Sequence, residues 1–139
     1  MKALRPVARP QAVRTGLLTL GASALIGGLL GLTTFVVSAQ QQVIDGSAIF
    51  DNQCARCHGA SGQGGEEAAI LIGPGNALSG YGNALALLNY TIENMPNDDP
   101  GTLPVSDYAA ALAFILGANG YFIPGDLTPD NAASISLTR

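Results

Sequence analysis

The chain of 139 residues has one histidine, two cysteines, two methionines and no tryptophan. One histidine excludes any catalytic or metal site that needs two imidazoles. Two cysteines cannot build a disulfide-dense scaffold. Charge is also scarce, at 12% against 47% hydrophobic residues, which excludes a disordered polar chain. The formal net charge of −4 speaks against nucleic acid as a partner, because phosphate binding needs a basic footprint. No alternating strand pattern of any length appears, and there is no internal repeat. The length suits one domain.

What charge there is falls unevenly. Residues 1–15 hold Lys2, Arg5, Arg9 and Arg14 and no acid, and residues 16–37 carry no charge at all. Val37-Ser38-Ala39 then offers small side chains at the two positions an export peptidase reads. A basic flank, an apolar run and an A-x-A-like site make 1–39 a targeting segment. It reads as a cleaved signal peptide or as an uncut membrane anchor. The 22 residues of 16–37 are long enough to span a bilayer as a helix, but five glycines and three threonines leave them only marginally apolar. Either way the basic flank stays inside and the rest is exported. Beyond residue 39, two bases face ten acids, a net charge of −8.

Three helices are expected in that acidic part. The first covers Ile44 to Gln53, with Asp45 as N-cap and Ile49 and Phe50 on the apolar side. Asn83 caps the second, where Leu85, Leu88 and Ile92 share a face, and it stops near Asn94 because Pro96 pushes Met95 out of the helical region. Ser106 caps the third, which buries Leu112, Ile115 and Leu116 and ends at Asn119-Gly120. Gly59 to Gly80 is a long loop with one apolar island, Ala68 to Ile72. Residues 121–139 read as a mostly irregular extension. With three Phe and four Tyr beyond residue 39, the core is thin, as if a large apolar group completed it.

Cys54-Ala55-Arg56-Cys57-His58 is the strong motif. On a helix the i, i+3 spacing puts both sulfurs on one face, in reach of the two vinyl groups of one haem, and His58 follows at once to bind the iron. A zinc half-site lacks two further Cys or His ligands, a redox-active CxxC lacks its βαβ setting, and a disulfide over this spacing would be strained. Haem iron in carriers takes a second strong side chain, Met or His, and outside the targeting segment only Met95 remains. Beside that reading stands an ordinary core methionine filling a gap.

This order of Cys54-Ala-Arg-Cys-His58-Gly, Gly73-Pro74, Met95-Pro96 and a terminal helix with Tyr108 and Phe114 resembles a class I c-type cytochrome over about residues 44–119. The resemblance implies an all-α cytochrome c fold (40–120) around one haem c, covalent through Cys54 and Cys57, preceded by the hydrophobic targeting or anchor helix. It implies that the first and last helices cross, with Gly46 allowing close approach near Phe50 and Phe114. It further implies that the Pro74 carbonyl accepts a hydrogen bond from the other His58 nitrogen. Met95-Pro-Asn-Asp-Asp-Pro-Gly-Thr-Leu resembles small bacterial carriers that serve periplasmic dehydrogenases.

The function expected is one-electron transfer, not enzymatic catalysis, in the periplasm or another extracytoplasmic space. Partners would be a dehydrogenase, oxidase or other membrane complex with a basic docking face, with membrane association through 16–37 if the segment is uncut. The alternative is a membrane-anchored subunit acting as the fixed electron entry or exit site of a respiratory or photosynthetic complex. Gly59-x-x-Gly62-x-Gly64-Gly65 follows no strand and lacks the lysine of a phosphate loop. Glu66-Glu67 and Asp98-Asp99 read as solvated surface or as docking contacts. No distal acid–base groups for peroxide chemistry are in evidence.

Overall fold

The computed structural model describes residues 39–66 and 68–138. Among them there are helices and loops, and the only β pairing is one isolated antiparallel bridge, Asn83 to Ser136. The segment expected to be a targeting sequence, residues 1–39, lies outside the described residues apart from Ala39. Among the described residues no helix is long and apolar enough to cross a membrane.

Helix α1 is α-helical over 39–49, widens into a π-helical turn at Phe50–Cys54 and closes as α-helix at Ala55–His58. It is longer at both ends than the Ile44–Gln53 expected. Asp45 is not its N-cap but an interior residue whose carboxylate accepts from Gln41 Nε2 one turn earlier, at 2.8 Å. The widened turn is carried by the Ala55 N–H donating to the Phe50 carbonyl. A π turn inserts a residue into the helical register. It thereby rotates the face carrying Cys54 and Cys57 relative to the one carrying Gly46 and Phe50.

Helix α2, Ala84–Asn94, starts as its sequence predicts: the Asn83 side chain accepts from the Ala86 N–H at 2.9 Å. It ends at Met95, which is extended (φ −127°, ψ 150°) ahead of Pro96. Helix α3, Val105–Ala118, starts a residue before the expected Ser106 cap. Pro104 holds the N-cap position with its ring-fixed φ, and its carbonyl accepts from Asp107 and Tyr108 at 2.9 and 3.2 Å. Ser106 lies within the first turn and bonds Asp107 instead.

Helices α1 and α3 touch at Gly46. A Cβ there would sit 2.0 Å from the Ala110 carbonyl oxygen, so only glycine admits the crossing. Phe50 and Phe114 pack beside it with ring centroids 5.5 Å apart and planes tilted by 50°.

The segment beyond residue 120 is no loose extension. It forms a short helix α4, Pro129–Ala132, and buries Leu127, Ala132, Ile135 and Leu137 in the same cluster as Phe50, Leu88 and Leu116. Its backbone runs against the start of α2, with Ala84 N–H donating to Ile135 at 2.9 Å and Leu137 N–H donating to Gly82 at 2.9 Å. Gln42 on α1 clasps it with two bonds, donating to the Leu127 carbonyl at 2.8 Å and accepting from the Leu127 N–H at 2.7 Å. Pro129, Gly125 and Pro124 make the segment read as irregular, yet Leu127, Ala132, Ile135 and Leu137 reach the core while Phe122 stays exposed.

Candidate functional site

The last two turns of α1 present Cys54, Cys57 and His58. Cys54 is half-buried, Cys57 exposed and His58 buried at 8% exposure. Burial pushes the Cys54 thiol above its ordinary value, against the opposing pull of the Arg56 charge. A redox-active CxxC works through a thiol whose pKa is lowered, so this environment speaks against that chemistry.

His58 Nδ1 lies 2.8 Å from the Ala69 carbonyl oxygen. A carbonyl only accepts, so Nδ1 carries the hydrogen and Nε2 keeps its lone pair for a metal. The acceptor is therefore Ala69 and not Pro74. Gly62 causes the difference: its carbonyl accepts from both Leu71 and Ile72, at 2.8 and 2.9 Å, and folds the Ala68–Ile72 island back onto the histidine. Pro74 ends up exposed in the following turn. That turn is held from the other side by Asn119, which accepts from the Gly73 N–H at 3.0 Å and donates to the Leu71 carbonyl at 2.8 Å.

Met95 is placed by its own backbone. Its N–H donates to Thr91 at 2.9 Å, and its carbonyl accepts from the Tyr108 hydroxyl at 2.6 Å. Tyr108 itself is 2% exposed, on the first turn of α3. The loop from Met95 is thus pinned to the helix that crosses α1.

Between these elements lies a cavity of about 640 Å³, within the range of pockets that bury a ligand of several rings. Cys54, Cys57 and His58 line one part and Met95 another, with Ile70, Leu71, Leu78, Leu87, Leu112 and Ile115 supplying apolar surface. An apolar slot with two thiols, an imidazole of fixed tautomer and a thioether fits a haem. Among the described residues no group of three or more His, Cys, Asp or Glu could hold a metal ion by itself. Four of the five expected site residues thus share the cavity, and Pro74 does not.

At the rim, the Arg56 guanidinium bonds the Asp98 carboxylate, joining the haem motif to the loop after Met95. Arg56 is the only Lys or Arg among the described residues. Tyr81 and Tyr90 also reach the cavity, their ring centroids 5.2 Å apart. Burial and the neighbouring Tyr90 push the Tyr81 phenol up. Sequence reasoning did not assign Ala69, Asn119 or the Arg56–Asp98 pair. A backbone carbonyl carries no residue signature, and the other contacts bridge more than 40 residues.

The family model described as cytochrome c oxidase, cbb3-type, subunit III, matches residues 41–115, more than half of the chain. No curated protein matches the sequence. A chain in the crystal structure of the sulfane dehydrogenase SoxCD from Paracoccus pantotrophus is similar, with a TM-score of 0.57 and 30% identity. The similarity covers 68% of this chain and 52% of that one, so this chain spans about half the length of the solved one.

Proposed function

Because the chain belongs to the family of cytochrome c oxidase, cbb3-type, subunit III, a small c-type cytochrome with haem c on Cys54 and Cys57, we propose that it carries single electrons through a haem iron held between His58 and Met95. One observation carries this reading: all four side chains line one apolar cavity. When bound, the haem supplies a one-electron couple. The chain's own residues set how that couple behaves. His58 binds through Nε2 because Ala69 holds the proton on Nδ1. A Met95 thioether ligand would raise the reduction potential, and the apolar lining would raise it further by disfavouring the more charged ferric state. His58 and Met95, each fixed by a hydrogen bond to the fold, would hold the iron with little need to rearrange on transfer.

The decisive experiment is Met95→Ala. The ferric holoprotein should lose its sulfur-to-iron charge-transfer band, turn high-spin, bind added ligands and fall in potential. An unchanged spectrum overturns Met95 as ligand.

The exported domain works outside the cytoplasm on this reading, and its net charge of −8 beyond residue 39 selects redox partners with a basic docking face. Association should slow as salt rises. Transfer independent of salt with every physiological partner removes the steering. A second reading, a fixed subunit of a membrane complex, is favoured by the oxidase-subunit family and by the uncharged stretch 16–37. Intact mass of the native protein separates the two: loss of residues 1–39 means a diffusing carrier, and retention means an anchored one.

A further inference from the structure

Residues 95–103 close one side of the cavity, and a single side chain ties down both ends. The Tyr108 hydroxyl donates to the Met95 carbonyl at 2.6 Å and accepts from the Leu103 N–H at 3.4 Å. Between those ends the bonds are local. Asp99 N–H donates to Pro96 at 2.9 Å, Gly101 N–H to Met95 at 3.4 Å and the Thr102 hydroxyl to Asp99 at 2.8 Å. Residues 97–102 are exposed. Among the described residues, one bond leaves this tip for another element: Asp98 to Arg56. Arg56 stands between the two haem-bearing cysteines, so in the holoprotein it springs from a stretch of backbone fastened on both sides.

We propose that Arg56 and Asp98 form a latch, a positioning pair that holds the Met95 loop against the Cys54–Cys57 wall and keeps Met95 on the iron against competing ligands. This rests on Met95 being the axial ligand. An exposed ion pair adds little to global stability. Loop opening, however, does not require global unfolding and starts from free energies near zero, so one modest bond is a large share of what resists it. The domain's acidity sharpens the point, because its only described cation, with many carboxylates to choose from, is paired at this rim with Asp98.

A rival account is that Arg56 and Asp98 act only as charges near the iron. The two differ in sign. As plain charges, Arg56→Gln lowers the potential and Asp98→Asn raises it, because a nearby cation disfavours the ferric state and an anion favours it. As a latch, both substitutions loosen the same loop. The test uses the ferric holoprotein with imidazole as probe, together with hydrogen exchange at the Asp99 and Gly101 amides. Each single variant should raise imidazole affinity and amide exchange by up to about five-fold, and the swap Arg56→Asp with Asp98→Arg should recover most of the loss. Wild-type imidazole affinity and exchange in the single variants, with or without potentials moving in opposite directions, overturns the latch. Asp98→Asn lies outside the attachment motif and decides the matter if Arg56→Gln fails to mature. Met95→Ala run alongside separates the premises: if it leaves imidazole binding unchanged, Met95 is not the ligand, while amide exchange still judges the latch.

Discussion

The Tyr108 hydroxyl donates to the backbone carbonyl of Met95 at 2.6 Å, from a side chain buried on the helix that crosses α1. The bond couples the position of the thioether to the packing of the core. Tyr108→Phe keeps the ring and removes the donor, leaving the Met95 carbonyl with the Gly101 N–H at 3.4 Å. Chemical denaturation should show a loss of about 1 kcal/mol, the usual worth of one such bond. Added imidazole should also bind the ferric protein more tightly than in wild type.

Gly46→Ala should be among the most damaging small substitutions. Its Cβ would meet the Ala110 oxygen at 2.0 Å and Phe114 Cβ at 3.1 Å, so α1 must back away from α3. Overpacking of this kind costs roughly 1–3 kcal/mol or more. Gly117→Ala is the control, because nothing lies within 4 Å of its added Cβ and the helix gains propensity. Thermal unfolding should separate the two, with a lower midpoint for the first and an equal or higher one for the second.

Leu137→Ala tests whether the segment after residue 120 belongs to the domain. Leu137 is fully buried, and truncating a buried leucine costs about 2–5 kcal/mol. Denaturant unfolding should show that loss. A chain ending at Gly120 should lose cooperative unfolding, since Leu127, Ile135 and Leu137 leave the core together.

The Arg56–Asp98 pair sets a pH dependence whose sign is fixed. The Arg56 hydrogen bond and charge hold the Asp98 carboxyl below its ordinary value. Its contribution is therefore complete above the unfolded carboxylate pKa of about 3.9 and is lost as pH falls through the lower folded value. Because both groups are exposed, the effect is small and salt screens it. Loop exchange in wild type and Asp98→Asn should differ at neutral pH and converge in acid or in high salt.

Replacing both cysteines by alanine should remove covalent haem. A cavity of about 640 Å³ in the middle of a small core then loses its filler. A ligand that binds only the folded state stabilises it by mass action, and its absence withdraws that. The variant should bind a hydrophobic dye and unfold without a sharp transition.

The parts legible in the sequence are those where one side chain does the local work. Asn83 caps α2, Pro96 forces Met95 to be extended, Gly46 admits Ala110, and the Cys54–His58 spacing declares its own chemistry. Other parts were decided by partners far along the chain. The resemblance points to Pro74 as the histidine's acceptor, but the Gly62 carbonyl, accepting hydrogen bonds from both the Leu71 and Ile72 N–H groups, brings Ala69 there instead. Ser106 is a good capping residue displaced because Pro104 already supplies the turn. Residues 121–138 lack helical periodicity over most of their length, so their apolar residues signalled no element. They gain order from Gln42 and the start of α2.

That clasp between Gln42 and Leu127, 85 residues apart, has a temporal meaning. Chain growth delivers Cys54, Cys57 and His58 long before Leu127 and Leu137, so the core cannot seal while those last residues are unmade. Contacts of such separation also form late in folding, after the entropy of a long loop has been overcome. The cysteines therefore emerge on an open chain, accessible to whatever machinery joins them to a porphyrin. The carboxy-terminal strap, which packs on Gln42 and the start of α2 and not on the cavity lining, completes the core last.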